Sequence, residues 1–194
     1  MPKLVFFHAG TEKCRTAFAP LEVALNSRRY AIKTMDVTRH PEHLREAKEL
    51  GVQALPALLV DETLFHINFG VPLADIPPRS DSSSPPESID ALQRPWTDEV
   101  GEMLVQFFHA GCGVCKRAEQ VVEALDPVRV IVQEEDLLKT PTRANEARTL
   151  GIHSVPALVF TAGPKRVVWH IDYGASLDDL ACWWDWRQPT KSGP

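Results

Sequence analysis

Apolar positions along this chain alternate between two periods. Residues 104–108 form a largely apolar run of strand length, and 112–125 carry Cys115, Ala118, Val122 and Leu125 at helical spacing. Residues 128–132 are β-branched and predict a second strand. Thr140-Pro141 reads as an N-cap followed by proline at the first helical position, and Gly151 closes that helix. Residues 157–160 and 167–173 then flank Ala162-Gly163-Pro164 as a hairpin. The same order occurs earlier, over 4–7, 14–27, 30–37, 41–50, 57–60 and 64–69. The pattern is β-α-β-α-β-β twice, with a final helix clear only in the second copy, over 177–187. Two βα units feeding a mixed sheet, with helices on its faces, predict an α/β architecture.

The residues repeat as well as the pattern. Phe6-Phe7-His8-Ala9-Gly10 returns as Phe107-Phe108-His109-Ala110-Gly111. Leu50-Gly51-Val52-Gln53-Ala54-Leu55-Pro56-Ala57-Leu58 returns as Leu150-Gly151-Ile152-His153-Ser154-Val155-Pro156-Ala157-Leu158, and Phe65-His66-Ile67-Asn68-Phe69-Gly70 as Trp169-His170-Ile171-Asp172-Tyr173-Gly174. Matches in one order at a nearly constant offset indicate a duplicated unit. The last match lies a few residues further on, which predicts a short insertion in the 161–166 turn. The expected organisation is a domain over 1–76, a linker over 77–99 and a second domain over 100–188. The linker holds the run Pro-Pro-Arg-Ser-Asp-Ser-Ser-Ser-Pro-Pro, which cannot pack a core. A short helix over 86–94 is expected within it.

Composition changes the picture little. Hydrophobic residues make up 44% and charged residues 24% of 194, an ordinary globular balance. The net charge of -5 gives no basic field to recommend nucleic acid. The longest apolar stretches, 54–60 and 155–160, are broken by proline, so no membrane span is expected. The N-terminal segment is too short in apolar residues for a signal peptide, and a cytoplasmic protein is the expectation.

The chemistry lies in four cysteines, too few for a disulfide scaffold. Cys112 and Cys115 form a C-x-x-C pair where a helix begins. There, unpaired N–H groups and the helix dipole stabilise a thiolate, and Lys116 and Arg117 add positive charge in the same turn. A C-x-x-C also serves as half of a zinc site, with His109, His153 and His170 as the nearby candidates. Structural zinc takes four ligands and there is no second C-x-x-C, so no metal is assigned. Burial of both thiols as small apolar residues is the third reading.

A strand, a C-x-x-C opening a helix and a later Gly-Ile-x-x-Val-Pro turn resemble the thioredoxin fold. Two copies in tandem resemble the two-domain protein disulfide oxidoreductases. The resemblance implies cis peptides before Pro56 and Pro156. It also implies that Cys112 attacks a substrate disulfide, Cys115 resolves the mixed disulfide, and Val155 with Pro156 docks the substrate strand. The implied partners are protein disulfides and a thiol reductant or reductase, with no cofactor. Some residues depart from the family. Gly111 stands where thioredoxins carry Trp, Gly113-Val114 replaces Gly-Pro, and Gln106 replaces the buried acid. Gln106 cannot take the resolving thiol's proton, leaving water or His109.

In the first copy Thr11 takes the attacking position and Cys14 the resolving one, a degenerate site beside Pro56. A lone thiol cannot resolve intramolecularly, so this half is expected to bind or stabilise rather than catalyse. A peroxiredoxin-like use of T-x-x-C lacks the proline that precedes that motif. His8 and His109 match each other, which favours a shared structural hydrogen bond; His66 and His170 are expected to be sheet residues. Over 177–187, Leu177, Leu180, Ala181 and Trp184 share one face. Trp183 and Trp186 point away, with Cys182, predicting an interdomain or homodimer contact. The expectation is a thiol–disulfide oxidoreductase favouring reduction. The competing class is a non-enzymatic redox-sensing adaptor or binding module.

Overall fold

Strands that are buried along their whole length need neighbours on both sides and covers on both faces, and the first strand of each half is of that kind. β1 (Leu4–His8) is buried at every position and β5 (Leu104–His109) at all but its first. The structure, a computed structural model, describes residues 3–26, 32–72, 103–125, 132–140 and 142–176. After β1 come α1 (Glu12–Asn26), β2 (Ile32–Asp36), α2 (Pro41–Glu49), β3 (Ala54–Val60) and β4 (Thr63–Pro72). After β5 come α3 (Gly113–Leu125), β6 (Val132–Asp136), α4 (Arg143–Thr149), β7 (Ser154–Ala162) and β8 (Lys165–Ser176). The expected helices over 86–94 and 177–187, the linker, Cys182, Trp183 and Trp186 lie outside the described residues.

All the strands join one 8-stranded sheet in the order β2-β1-β3-β4-β8-β7-β5-β6. The β1–β2 and β5–β6 pairs are parallel, and the other neighbours are antiparallel. β1 and β5 therefore run in opposite directions, and the turns that follow them stand at opposite ends of the sheet. Charge sits on the outer strands, where Lys33 in β2 and Glu134 in β6 are exposed. Of the strand expected over 128–132, residues 128–131 lie outside the described residues; from Val132 it runs on to Asp136, since an edge strand with one neighbour tolerates polar residues that a central strand does not.

The tip of the second hairpin carries the inserted residues. β3 and β4 close at Val60↔Thr63, whereas β7 and β8 continue through Thr161↔Arg166 and Ala162↔Lys165. Helix starts differ as well. α2 has His40 at its N-cap and Pro41 in its first turn, but α4 starts at Arg143 with Thr142 at the N-cap. Arg143 N–H still bonds the Thr140 carbonyl at 3.0 Å, so a tighter turn precedes the helix that Thr140 was expected to cap.

Pro56 and Pro156 sit inside β3 and β7, and the peptide bonds preceding them are cis. Proline has no N–H to give the ladder, and both ladders shift there. Leu55 pairs with Val71 and Ala57 with His66; Val155 pairs with Ala175 and Ala157 with His170. The residues of β4 and β8 that bulge away from their own hairpins pair with each other, at Ile67↔Ile171. Asn68 and Asp172 follow at φ 56 and 51, a left-handed conformation that Asn and Asp tolerate best among side-chain-bearing residues. Side chains then cross the seam. Asn68 Oδ1 accepts from His170 N–H at 2.8 Å, Asn68 Nδ2 donates to the Val168 carbonyl at 3.0 Å, and Asp172 Oδ1 accepts from His66 N–H at 2.8 Å.

One face of the sheet holds a core common to both halves. Phe6, Phe18, Leu21, Phe65 and Ile67 pack there with Phe107, Val122, Phe160, Trp169 and Ile171, under α1 and α3. Trp169 is fully buried, and its indole N–H donates to the Ala17 carbonyl at 3.1 Å, which satisfies the one polar atom of the ring. On the other face each half keeps a separate core, around Phe7 and Met35 in the first and around Phe108, Cys115 and Val155 in the second.

Candidate active site

β5 delivers the chain to α3 through Ala110-Gly111-Cys112, and Cys112 takes the N-cap position. Lys116 N–H bonds the Cys112 carbonyl at 2.9 Å, the first bond of the helix. Cys115 N–H points at Cys112 Sγ at 3.1 Å, so the sulfur occupies the place where a capping oxygen accepts from the third helical amide. The two cysteines are joined as a disulfide with Cα atoms 4.9 Å apart. Cys112 is half-buried and Cys115 is 1% exposed, with Ala110 N–H 3.5 Å from its Sγ. Reduction therefore leaves one reachable sulfur under helix N–H groups and one held behind it, which is the division of labour an attacking and a resolving thiol need.

The Val155-Pro156 turn lies alongside. Phe108 pairs with Ala157, and Val155 packs in the same core as both cysteines. Lys116 is exposed near the helix start. Arg117 does not serve as expected. Its guanidinium bonds Asp172 on β8 and lies 6.0 Å from the Phe65 ring centroid, so its charge is spent on the seam. Burial pushes the Asp172 carboxyl up, but the His66 ring, the His66 N–H and Arg117 together outweigh this and hold it below its ordinary value.

His109 is buried, and its Nδ1 accepts the Gly111 N–H at 3.3 Å. A backbone N–H only donates, so Nδ1 is bare and Nε2 carries the proton of the neutral ring. Nε2 stands 3.2 Å from a Glu134 carboxylate oxygen, an ion-pair distance outside hydrogen-bond geometry. The ring thus ties down the loop before Cys112 and turns its free nitrogen toward β6. His8 repeats this bond to Gly10 N–H at 3.2 Å. Gln106, in the place of the family's acid, is 8% exposed.

The turn into α1 keeps the same framework. Thr11 caps α1, with Arg15 N–H on its carbonyl at 3.0 Å and Cys14 N–H on its Oγ1 at 3.4 Å. The Thr11 hydroxyl donates to Cys14 Sγ at 3.2 Å, and Cys14 is a free thiol, 1% exposed. Sequence reasoning missed the seam, namely Asn68, Asp172, Trp169 and the use made of Arg117. The signal was present in the aligned His66-Ile67-Asn68 and His170-Ile171-Asp172, where polar residues recur on both sides of an isoleucine. Among the described residues no group of three or more His, Cys, Asp or Glu is placed to hold a metal ion, and no helix is long and apolar enough to cross a membrane.

A strand leading into a helix capped by one member of a cysteine pair, beside an antiparallel hairpin in a mixed sheet, defines a class: the chain has a mixed α/β thioredoxin-like fold. Comparison with known proteins stands beside that. No protein-family model matches the chain. A protein disulfide-isomerase of Oryctolagus cuniculus is 35% identical over 77 residues, 39% of this chain and 15% of that protein, so the match spans a small part of the relative's length. The dimeric thioredoxin-like protein NE0084 of Nitrosomonas europea is 36% identical, with 42% of this chain and 98% of that one covered and a TM-score of 0.34. The germline-specific thioredoxin Deadhead of Drosophila melanogaster is 21% identical, covering 51% and 91%, with a TM-score of 0.30.

Proposed function

We propose that this protein is a thiol–disulfide oxidoreductase working through Cys112 and Cys115 on protein disulfides, in the reducing direction. It is built as two tandem thioredoxin-like units, of which the first is non-catalytic and serves binding or stability. The observation that carries the reading is the cysteine pair at the start of α3, with one sulfur at the N-cap and the other buried one turn behind. The likeness of a 77-residue stretch to a protein disulfide-isomerase supports it.

The steps balance as follows. In the reduced form the Cys112 thiolate, held by the Cys115 N–H and the other amides of the first helical turn, attacks one sulfur of a substrate disulfide. The substrate S–S bond breaks and its departing thiolate takes a proton from water. Cys115 then gives its proton to water and attacks Cys112 Sγ, releasing the second substrate thiolate and closing the Cys112–Cys115 disulfide. Two electrons have moved to the substrate, and an external dithiol or glutathione system supplies two more, reopening the Cys112–Cys115 disulfide to two thiols as the reductant is oxidised. The poise of a cytoplasmic setting favours this direction.

Insulin reduction under a thioredoxin or glutathione system tests the proposal: turnover is expected, and an inactive, irreducible wild-type protein overturns it. Cys115→Ser is expected to accumulate covalent Cys112 adducts that mass spectrometry resolves, naming the partners.

A further inference from the structure

The docking turn has a weak point where its ladder lapses. Pro156 offers no N–H, and β8 leaves β7 between His170 and Ala175; pairing resumes at Val155↔Ala175 and Ser154↔Ser176, but β7 begins at Ser154, so His153 stands ahead of the ladder. A side chain closes the gap. His153 N–H donates to His170 Nε2 at 3.1 Å, and the two rings stack with centroids 5.8 Å apart and planes at 6°. The His170 backbone is itself fixed from the first half, by Asn68 Oδ1 on its N–H at 2.8 Å. The first half repeats the arrangement, with Gln53 N–H on His66 Nε2 at 3.1 Å ahead of Pro56. Both histidines therefore do more than fill the sheet.

We propose that His170 is a positioning residue for substrate docking: its bare Nε2 holds the 153–155 backbone in the place where a substrate strand pairs with Val155, and Asn68 of the first half holds His170. This rests on the dithiol-exchange reading for its functional part. The donor is a backbone amide, so Nε2 must be the unprotonated nitrogen and Nδ1 the protonated one. Burial, and then the neighbouring His153, hold the His170 ring below its ordinary pKa, which keeps it in that accepting form. The bond lies at an exposed amide that water would otherwise satisfy. Its loss therefore costs placement of the turn more than stability of the fold.

The test uses the full-length protein and three variants. His170→Leu removes the acceptor, His170→Asn is polar but too short, and His170→Gln places an amide oxygen near the lost nitrogen. Amide exchange is expected to accelerate about five- to tenfold at His153 in the Leu and Asn variants and to stay near wild type in the Gln variant. Nitrogen shifts of His170 should report a bare Nε2 in the wild type. With a peptide disulfide as substrate, KM is expected to rise about five- to tenfold in the Leu and Asn variants with kcat within about twofold, and Gln to restore it. Unchanged exchange, or a protonated Nε2, overturns the bond. Accelerated exchange with unchanged KM, or a fall in kcat alone, overturns the docking role. If wild type lacks turnover, the dithiol-exchange reading falls, while exchange and nitrogen shifts still decide whether His170 holds the turn. If His170→Leu does not fold, His170→Asn takes its place.

Discussion

Two helices begin in the same way at opposite ends of one sheet, and they differ in one capping atom. In α1 the cap is the Thr11 hydroxyl, receiving Cys14 N–H at 3.4 Å; in α3 it is the Cys112 sulfur, receiving Cys115 N–H at 3.1 Å. Even the contact between cap and third residue persists, as Thr11 hydroxyl on Cys14 Sγ in one half and as a disulfide in the other. The position proposed to attack is thus first a cap, and the proposed chemistry is an addition to that duty. An oxygen there keeps the helix and forfeits the exchange.

The largest effect should come from forcing one half to resemble the other. Cys112→Thr is expected to reduce insulin turnover to background, because a hydroxyl does not exchange with disulfides, while the melting temperature shifts little since the cap survives. Thr11→Cys should do the reverse: a second thiol-titratable, dithiothreitol-reducible disulfide forms with Cys14. If Cys112→Thr keeps turnover, or Thr11→Cys leaves the new thiol and Cys14 both free under oxidation, the equivalence of the two caps fails.

This comparison was readable from the sequence, because caps, C-x-x-C spacing and the Val-Pro turn are local features whose physics acts within a few residues. What the sequence hid was non-local. Arg117 reads as a helix-start charge, yet it faces Asp172 because β8 runs beside α3. Asn68 and Asp172 read as strand residues until the bulge opposite each proline turns β4 and β8 toward one another. The polar continuation of the 128–132 strand through Asp136 was hidden too, because an edge strand does not need apolar residues.

The seam gives the next largest effect. Trp169 lies in the core that both halves share, so Trp169→Ala should cost about 3–5 kcal/mol and lower a single transition common to both halves. Two separate transitions in denaturant, only one of them shifted, would falsify the shared core. Cys14→Ala tests the asymmetry of the halves from the other side: turnover should stay within about twofold, since α3 supplies the whole dithiol. Thr11→Ala, which removes a cap and no chemistry, should cost about 1 kcal/mol and leave turnover intact. Equal loss of turnover in Thr11→Ala would mean that the first site takes part in the reaction.

The smallest expected difference concerns acid. Asp36 and Asp136 close the turns after β2 and β6 in the same manner, accepting backbone N–H groups of the residues that follow. Burial raises both carboxyls, and their hydrogen bonds more than offset it. For Asp36 these come from the Thr38 hydroxyl and amide, with His8 and the Arg39 amide adding to them. For Asp136 they come from the Lys139 side chain and then the Leu138 and Lys139 amides, with His109 contributing last. Both therefore titrate below the ordinary 3.8 when folded. A depressed carboxylate adds stability that is fully present above its unfolded pKa and lost as pH falls through that value toward the folded one. Asp36→Asn and Asp136→Asn should each cost about 0.5 kcal/mol near neutrality, and the variants should lose stability less steeply than wild type between roughly pH 5 and 3. Asp36 leans first on a hydroxyl of its own turn, with Arg39 further off at 3.6 Å, and Asp136 on an exposed lysine ammonium at 3.0 Å. Added salt should consequently flatten the Asp136 contribution more than that of Asp36, and melting curves at low and high ionic strength measure that difference.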